Sequence, residues 1–314
     1  MERITLKCNN REDWLEYRKP DITSTDTAAL FGLSPYKTRF ELYHKHASGI
    51  ILPFTSNERV DKGNRMEAAI AHEAALQEGW TDLKPFKDYV RIPSERIGSS
   101  FDFEAIDKDG EPILVEIKMV DYFRYRDMWV DSQAPDHIEV QVAHELMLAG
   151  RFKRCAIVAW TGTYDCNVIY RERDPNMERG ILTAIRKFWQ DVDARNEPAP
   201  DFARDEDMIA ALFRSLRPDP ADMSDTSLDD KLTAYELARL QAKEFDDKAK
   251  ALKAEIHFAL GDVGEAFTNQ YKIGAKWTKD SSGTLITDAM VGTSIGGRKG
   301  YRQLNLKRLN GGTK

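Results

Sequence analysis

A chain of 314 residues with 41% hydrophobic and 31% charged side chains has the balance of an ordinary soluble globular protein, long enough for one large domain or a core with an appendage. Its net charge of −6 excludes indiscriminate coating of nucleic acid, so any DNA contact has to come from a local basic surface. Cys8, Cys155 and Cys166 are odd in number and lack metal-ligand spacing, which points to a reducing compartment rather than a disulfide framework. There is no apolar run of about 18 residues, and Met1-Glu2-Arg3 opens a mixed polar segment without the apolar core of a signal peptide. The expectation is a cytoplasmic protein with no membrane partner.

In chain order, residues 14–19 read as a short helix closed by Pro20, and Thr23 or Ser24 as the N-cap of a helix over 26–31 that ends at Gly32. Residues 32–36 form a turn, 40–47 an amphipathic helix and 49–57 a loop. A helix over 60–76 stops at Gly79, with Met66, Ile70 and Ala74 on its inner face. Glu67 lies near its start, where the helix dipole favours a carboxylate that is ordinarily solvated. Arg59, Lys62 and Arg65 beside it either line a phosphate track or are simply solvated.

The next stretch reads as a β-hairpin, in which residues 99–103 pair with 113–119 around the turn Lys108-Asp109-Gly110-Glu111-Pro112. A strand period of two puts Glu116 and Lys118 on one face, and Asp102 can supply a second carboxylate from across the turn. Charged side chains on a buried strand are costly unless compensated, and a divalent cation with a phosphodiester would compensate them. Phosphodiester hydrolysis needs hard oxygen ligands for Mg²⁺ or Mn²⁺, a source of hydroxide, and positive charge near the transition state. Asp102 and Glu116 can hold the metal, the carbonyl of Ile117 can add a ligand, and Lys118 can orient or deprotonate the attacking water. An ordinary surface hairpin with an ion pair is the alternative.

Residues 121–129 interleave Arg124 and Arg126 with aromatics, as either a nucleic-acid grip or an amphipathic helix with its rings in the core. After Pro135, a helix over 137–148 puts Gln141, His144 and Glu145 on one face, with His144 read as structural. His72-Glu73 and His144-Glu145 fail the zinc-protease spacing, because leucines stand where the second histidine should be. Strands are expected at 154–160 and 166–171 and a helix at 177–192, followed by a proline-rich, acidic, linker-like segment at 196–226 around a short helix at 205–215. Tyr235, Ala238, Ala242, Phe245, Ala249, Leu252, Ile256 and Ala259 then mark a long helix with a narrow seam. That seam serves either oligomerisation or packing within the chain, the second being the better reading. The tail alternates through Tyr271, Ile273, Ala275 and Trp277, and Gly296-Gly297-Arg298-Lys299-Gly300 leads into a basic last strand at 301–309.

Five blocks stand in order over residues 14–160: Arg18 with Ile22-Thr23-Ser24-Thr25-Asp26, Gly63-Asn64-Arg65-Met66-Glu67, Ser100-Phe101-Asp102, Glu116-Ile117-Lys118, and Gln141-Val142-Ala143-His144 running to Gly150. The arrangement resembles the PD-(D/E)XK nuclease superfamily and, within it, the lambda-exonuclease or YqaJ-like viral recombinase family, with Phe101 where that family has Pro. The resemblance implies an α/β (α+β) restriction-endonuclease-like core, a central mixed sheet flanked by helices, over residues 1–195. The segment 196–226 would follow as a linker, and 227–314 as a small α+β appendage.

The resemblance also assigns roles. Asp102, Glu116 and the Ile117 carbonyl would bind Mg²⁺ or Mn²⁺, two ions per site, with Glu67 near the metal, Lys118 acting on water and Gln141 bridging metal-bound water and scissile phosphate. Arg18, Thr25 and Ser100 would take a 5′-phosphate, and Arg59, Lys62, Arg65, Arg124 and Arg126 are candidate DNA contacts. The implied activity digests one strand of linear duplex DNA from its 5′ end, leaving a 3′ overhang for a single-strand-annealing partner. It is carried out by a ring-shaped homotrimer in a bacterial cell that hosts a phage or prophage. Neither polarity nor ring is read from composition or spacing. An endonuclease or single-strand-specific nuclease on the same core is one alternative, and a non-catalytic DNA-end-binding module is another.

Overall fold

The computed structural model describes residues 2–53, 57–214, 219 and 228–278, together with the backbone of 302–308. The chain divides into two compact units, residues 1–216 and 217–314. The first opens with β1 (Ile4–Lys7), α1 (Arg11–Arg18), β2 (Ile22–Thr23), α2 (Ser24–Leu30), α3 (Arg39–Ala47) and α4 (Glu58–Glu78). It continues with β3 (Thr81–Pro85), β4 (Asp88–Ile92), a 3₁₀ turn (Pro93–Glu95), β5 (Ile97–Ser99), β6 (Phe103–Ile106) and β7 (Pro112–Met119). Then come α5 (Tyr122–Met128), α6 (Asp136–Ala149), β8 (Arg154–Trp160), β9 (Asn167–Glu172), α7 (Pro175–Asp193) and α8 (Glu206–Leu212).

Local chemistry sets most of these boundaries. Asn57 caps α4 by accepting the Val60 N–H, and Gly79 ends it in the left-handed conformation at φ 74°. Asp174 caps α7 and Pro175 occupies its first turn, so that helix starts before the expected residue 177. The turn before β7 closes on Asp107, whose carboxylate accepts the N–H groups of Asp109 and Glu111, with Gly110 at φ 81°.

The expected α/β class, a mixed sheet flanked by helices, is the one observed. A five-stranded sheet runs β3-β6-β7-β8-β9, in which β7 and β8 are parallel and the other neighbours antiparallel. α5 and α6 make the crossover between β7 and β8. A second sheet runs β1-β4-β5-β2. Ile113, Val115 and Ile117 of β7 pack with Ile70, Ala71 and Ala74 of α4, while Leu114 packs with Ile138, Val142 and Leu146 of α6. β7 is therefore buried on both faces, which is why its apolar run is nearly unbroken.

One expectation needs correcting. Residues 99–103 are not one strand: β5 ends at Ser99 in the smaller sheet and β6 begins at Phe103 in the larger. The step between them is fixed by Phe101, which is buried edge-on against Phe86 at 4.7 Å. The smaller sheet as a whole, and β3, had no clear sequence signal, since their strands are short and mostly lack strict alternation.

The segment 196–212 is held on the first unit. Thr38 donates its hydroxyl to Asp205, Arg204 reaches the Ser34 carbonyl at 2.7 Å, and Met208 is buried. In the second unit, α9 (Leu228–Leu260) precedes an antiparallel sheet of β10 (Glu265–Phe267), β11 (Tyr271–Trp277) and β12 (Arg302–Arg308). None of the α9 residues is fully buried among the described residues, and Ile256 of its seam is partly covered. The expected glycine-rich lead at 296–300 lies outside the described residues. Among the described residues no helix is long and apolar enough to cross a membrane.

His46 packs against Trp189 at 4.8 Å and Phe188 at 5.9 Å, with its Nε2 buried and unpartnered. Burial, followed by the neighbouring Lys45, pushes its pKa down to about 3. The unfolded chain takes up that proton near pH 6.5 and the folded one does not, so this stability is complete above pH 6.5 and is lost as pH falls toward 3. His46→Phe removes the penalty. Between pH 7.5 and 5.5, urea unfolding is expected to shift in the variant's favour by about 1.4 kcal/mol relative to wild type. A pH-independent difference would mean that His46 takes up its proton in the folded state.

Candidate active site

On β7, Glu116 and Lys118 share the face turned toward α6, and the Lys118 ammonium donates to the Glu116 carboxylate. From α6, Gln141 Nε2 reaches Glu116 Oε1 at 2.6 Å and Glu145 Oε1 at 3.0 Å, so two side chains one helical turn apart converge on the strand. Asp102 arrives from the step before β6, and its Oδ2 accepts the Ile117 N–H at 2.9 Å. Glu116, Gln141 and Glu145 are buried, and Asp102 and Lys118 are half-buried.

The opposite wall is built from α1, β2 and the start of α2. Arg18 lies over the Trp14 ring at 4.0 Å, and its guanidinium points to Thr25 Oγ1 at 3.3 Å and Thr23 Oγ1 at 3.5 Å. Trp14 Nε1 donates to Ser100 Oγ at 3.0 Å, and Ser24 meets Ser99 at 2.7 Å. A cavity of about 200 Å³ lies between the two walls, lined on one side by Asp102, Glu116, Lys118, Gln141 and Glu145, and on the other by Arg18, Thr23, Thr25 and Ser100.

The two walls carry opposite charge problems. Burial and the neighbouring Glu116 hold the Asp102 and Glu145 carboxyls well above the usual carboxylate range, and the same causes raise Glu67. Burial opposes a charge on Lys118, but Glu116 and Asp102 outweigh it and keep the ammonium protonated. On the other wall, burial lowers the Arg18 pKa although Asp26 pulls it up. Among the described residues its partners are the Thr23 and Thr25 hydroxyls and the Trp14 ring rather than a carboxylate. A wall short of cations faces a guanidinium short of an anion.

The donor set suits a hard divalent ion. Oδ1 of Asp102 and Oε2 of Glu116 have no hydrogen-bond partner among the described residues. Because the Ile117 N–H points to Asp102, its carbonyl points to the same side of the strand. These three oxygens are what Mg²⁺ or Mn²⁺ would use. Among the described residues, no group of three or more His, Cys, Asp or Glu side chains is placed to hold a metal ion.

The structure therefore brings together Asp102, Glu116, Ile117, Lys118, Gln141, Arg18, Thr25 and Ser100. It does not bring Glu67 into the cavity, because α4 covers the other face of β7, although Glu67 still feels Glu116 and Lys118. Arg65 is paired with Glu58 at 2.7 Å, and Arg126 with Asp127 at 2.7 Å, so these two candidate DNA contacts are engaged by neighbours. Lys62 lines a separate surface hollow beside Trp160, and Arg59 lines both that hollow and a larger cavity that shares Thr25, Lys118 and Gln141 with the first. His144 is structural: it is fully buried, with Nδ1 at 2.7 Å from the Thr27 hydroxyl. Sequence reasoning missed Glu145 and Trp14 as parts of the site. Their signals were the spacing of four from Gln141 and from Arg18.

Residues 13–152 match the family model described as the YqaJ-like viral recombinase domain. A relative described as uncharacterized protein YqaJ, from Bacillus subtilis (strain 168), is 24% identical over 268 residues, covering 84% of this chain and 82% of the relative. Among solved structures, an alkaline exonuclease (LHK-Exo) from Laribacter hongkongensis is similar at 17% identity and a TM-score of 0.48, over 64% of this chain and 99% of that one. A phage related exonuclease from Haemophilus somnus 129PT is similar at 12% identity and a TM-score of 0.39, over 60% of this chain and 90% of that one.

Asp102→Asn keeps an acceptor for the Ile117 N–H and removes one charge from the crowded wall. Without metal the variant is expected to melt about 2–4 °C above wild type, equivalent to about 1 kcal/mol in a domain of this size. Added Mn²⁺ should then raise the wild-type melting temperature and leave the variant unmoved. Equal stabilisation of both by Mn²⁺ would remove Asp102 from the ligand set.

Proposed function

We propose that this chain, whose residues 13–152 match the family model described as the YqaJ-like viral recombinase domain, is a divalent-metal-dependent exonuclease acting on linear double-stranded DNA, degrading one strand from its 5′ end to leave a 3′ overhang. The observation that carries the reading is the single cavity in which Asp102, Glu116 and Lys118 face Arg18, Thr23 and Thr25. A metal site alone suits many hydrolases. A metal site one cavity-width from an anion-hungry arginine suits a substrate with a terminal phosphate next to the scissile one.

In this reading Asp102, Glu116 and the Ile117 carbonyl would hold Mg²⁺ or Mn²⁺, which would supply Lewis acidity at the scissile phosphate. Lys118, kept cationic by its carboxylate neighbours, orients the attacking water and offsets charge on the phosphoryl oxygens. Gln141 fixes the Glu116 carboxylate, and its amide oxygen, without a hydrogen-bond partner among the described residues, positions water. Arg18 with Thr25 and Ser100 grips the 5′-phosphate through charge-assisted and hydroxyl hydrogen bonds.

One set of digestions tests chemistry and polarity together. With Mg²⁺, linear duplex is expected to be lost and closed circles to survive, whereas nicked circles would make the enzyme an endonuclease. Lys118→Ala should lower the rate by about 10²-fold or more. A 5′-hydroxyl end should be degraded about 10- to 100-fold more slowly than a 5′-phosphate end, and Arg18→Ala should erase the difference. Equal wild-type rates on both ends would refute the pocket.

The assembly proposed is a homotrimer that encircles DNA and hands its product strand to a single-strand-annealing protein. A chain of net charge −6 holds a polyanion poorly through contacts alone, since phosphate contacts weaken steeply with salt, and closure around the duplex would replace affinity by topology. Light scattering is expected to give three times the chain mass; a monomer would rule out the ring and leave the active site standing.

A further inference from the structure

The helix α9 of the second unit has 33 residues and is therefore about 50 Å long. Phe245 is 69% exposed and Leu252 49%, and Ile256 is partly covered. A helix in water draws most of its stability from packing an apolar face, so one with no fully buried residue lacks a partner. The face is present. From 242 to 259 a repeat of three and four puts Ala242, Ala249 and Ile256 at the a positions of a heptad, and Phe245, Leu252 and Ala259 at the d positions.

Charged side chains flank this seam, with Asp246 and Lys253 at e and Lys248 and Glu255 at g. Lys248, Lys253 and Glu255 have no ion-pair partner among the described residues, while Asp246 is paired along the helix with Lys250 at 2.5 Å. Charges at these positions decide which way two helices run and in what register. In a parallel pair, g faces e of the next heptad, so Lys248 would meet Lys253 of the other copy. In an antiparallel pair, e faces e and g faces g. With Phe245 opposite Ala249, Lys248 would meet Lys248 and Asp246 would meet Asp246, again like on like. Slid by one heptad to put Phe245 opposite Ile256, the pair sets Asp246 against Lys253 and Lys248 against Glu255. Slid the other way, it gains Arg239 against Asp246 but places Lys231 in the seam on Ile256. One arrangement of the four matches charge on both flanks.

We propose that α9 is a docking surface for a second copy of this chain, paired antiparallel about a two-fold axis with Phe245 on Ile256, Ala249 on Leu252 and Ala242 on Ala259. The two-fold axis makes each of the ion pairs Asp246–Lys253 and Lys248–Glu255 twice, and such a self-complementary contact closes at two copies. Exposed ion pairs add little affinity, so the apolar seam holds the helices together and the charges select direction and register. The proposal concerns the second unit and does not depend on the exonuclease reading. Pairing through α9 doubles whatever assembly the first unit forms.

The test uses the full chain carrying Cys8→Ser, Ala242→Cys and Ala259→Cys, since Cys155 and Cys166 are buried. Positions 242 and 259 are about 25 Å apart on one helix, too far for a disulfide within a chain. Oxidation with diamide is expected to join residue 242 of one copy to residue 259 of another, as read by mapping the linked peptides. Links of 242 to 242, or no link between chains, would overturn the proposal. In a concentration series followed by light scattering, the wild-type mass should rise to twice that of Leu252→Asp, which keeps the lower mass throughout. Because the comparison is with that variant, the number of chains in the first unit's own assembly does not enter. Lys248→Glu should weaken the doubling by about 10-fold, and Lys248→Glu with Glu255→Lys should restore it. A wild-type mass equal to that of Leu252→Asp at every concentration, or a double variant no better than the single one, would refute the pairing. Should Leu252→Asp lose its helix, the disulfide map and the charge exchange still decide.

Discussion

The Asp102 carboxylate accepts the N–H of Ile117, two residues past the point where β6 pairs with Val115 of β7. At that point the ladder has run out and β7 would carry an unpaired donor in a nearly dry setting, which is costly to leave unmet. The carboxylate meets it, and in doing so is held beside Glu116 and Lys118. Only an acceptor at the end of the step from the smaller sheet to the larger can do this. The geometry of the site thus follows from a backbone accounting problem at a strand end.

Holding Asp102 there creates a second problem, one of charge. Asp102, Glu116 and Glu145 share a cavity with a single lysine, and Glu67 adds its field from behind the sheet. Gln141 eases this by donating to both Glu116 of β7 and Glu145 of α6, so that one amide sits between two buried carboxylates. The remaining excess is the kind a divalent cation neutralises. Across the cavity, Arg18 has traded a carboxylate for a tryptophan face and two threonine hydroxyls, so its charge stays available to a ligand. A net acidic chain can therefore still present a local anion site.

What was legible in the sequence was what local rules dictate. The period of two on β7 put Glu116 and Lys118 together, the spacing on α6 put Gln141 on the right face, and Gly79 marked a helix end, whereas the caps Asn57 and Asp174 start α4 and α7 earlier than the apolar pattern alone suggested. What was not legible depended on contacts distant in sequence. Phe101 breaks the 99–103 run only because Phe86 waits for it, and Glu67 falls behind the sheet only because α4 covers the face of Ile117. Arg65 and Arg126 looked like free cations, since a sequence does not show which neighbouring carboxylate a guanidinium will take. α9 showed a seam, and its helical period was right, but period alone does not say what covers a face.

Asp26 links the two cavities mechanically. It is buried at the start of α2, beside Thr25, and although burial pushes its carboxyl up, Lys37 and Lys45, each at 2.7 Å, hold it far below the usual range. Breaking a buried pair of this kind typically costs about 3–5 kcal/mol, because the partner is left uncompensated. The turn bearing Tyr36 is therefore fixed to the helix bearing Thr25, and a shift of one carries the other. One wall of the active-site cavity is thereby tied to the turn at residues 34–37 through a single buried carboxylate, and its geometry is set before any ligand arrives, which saves the free energy of ordering a loop on binding.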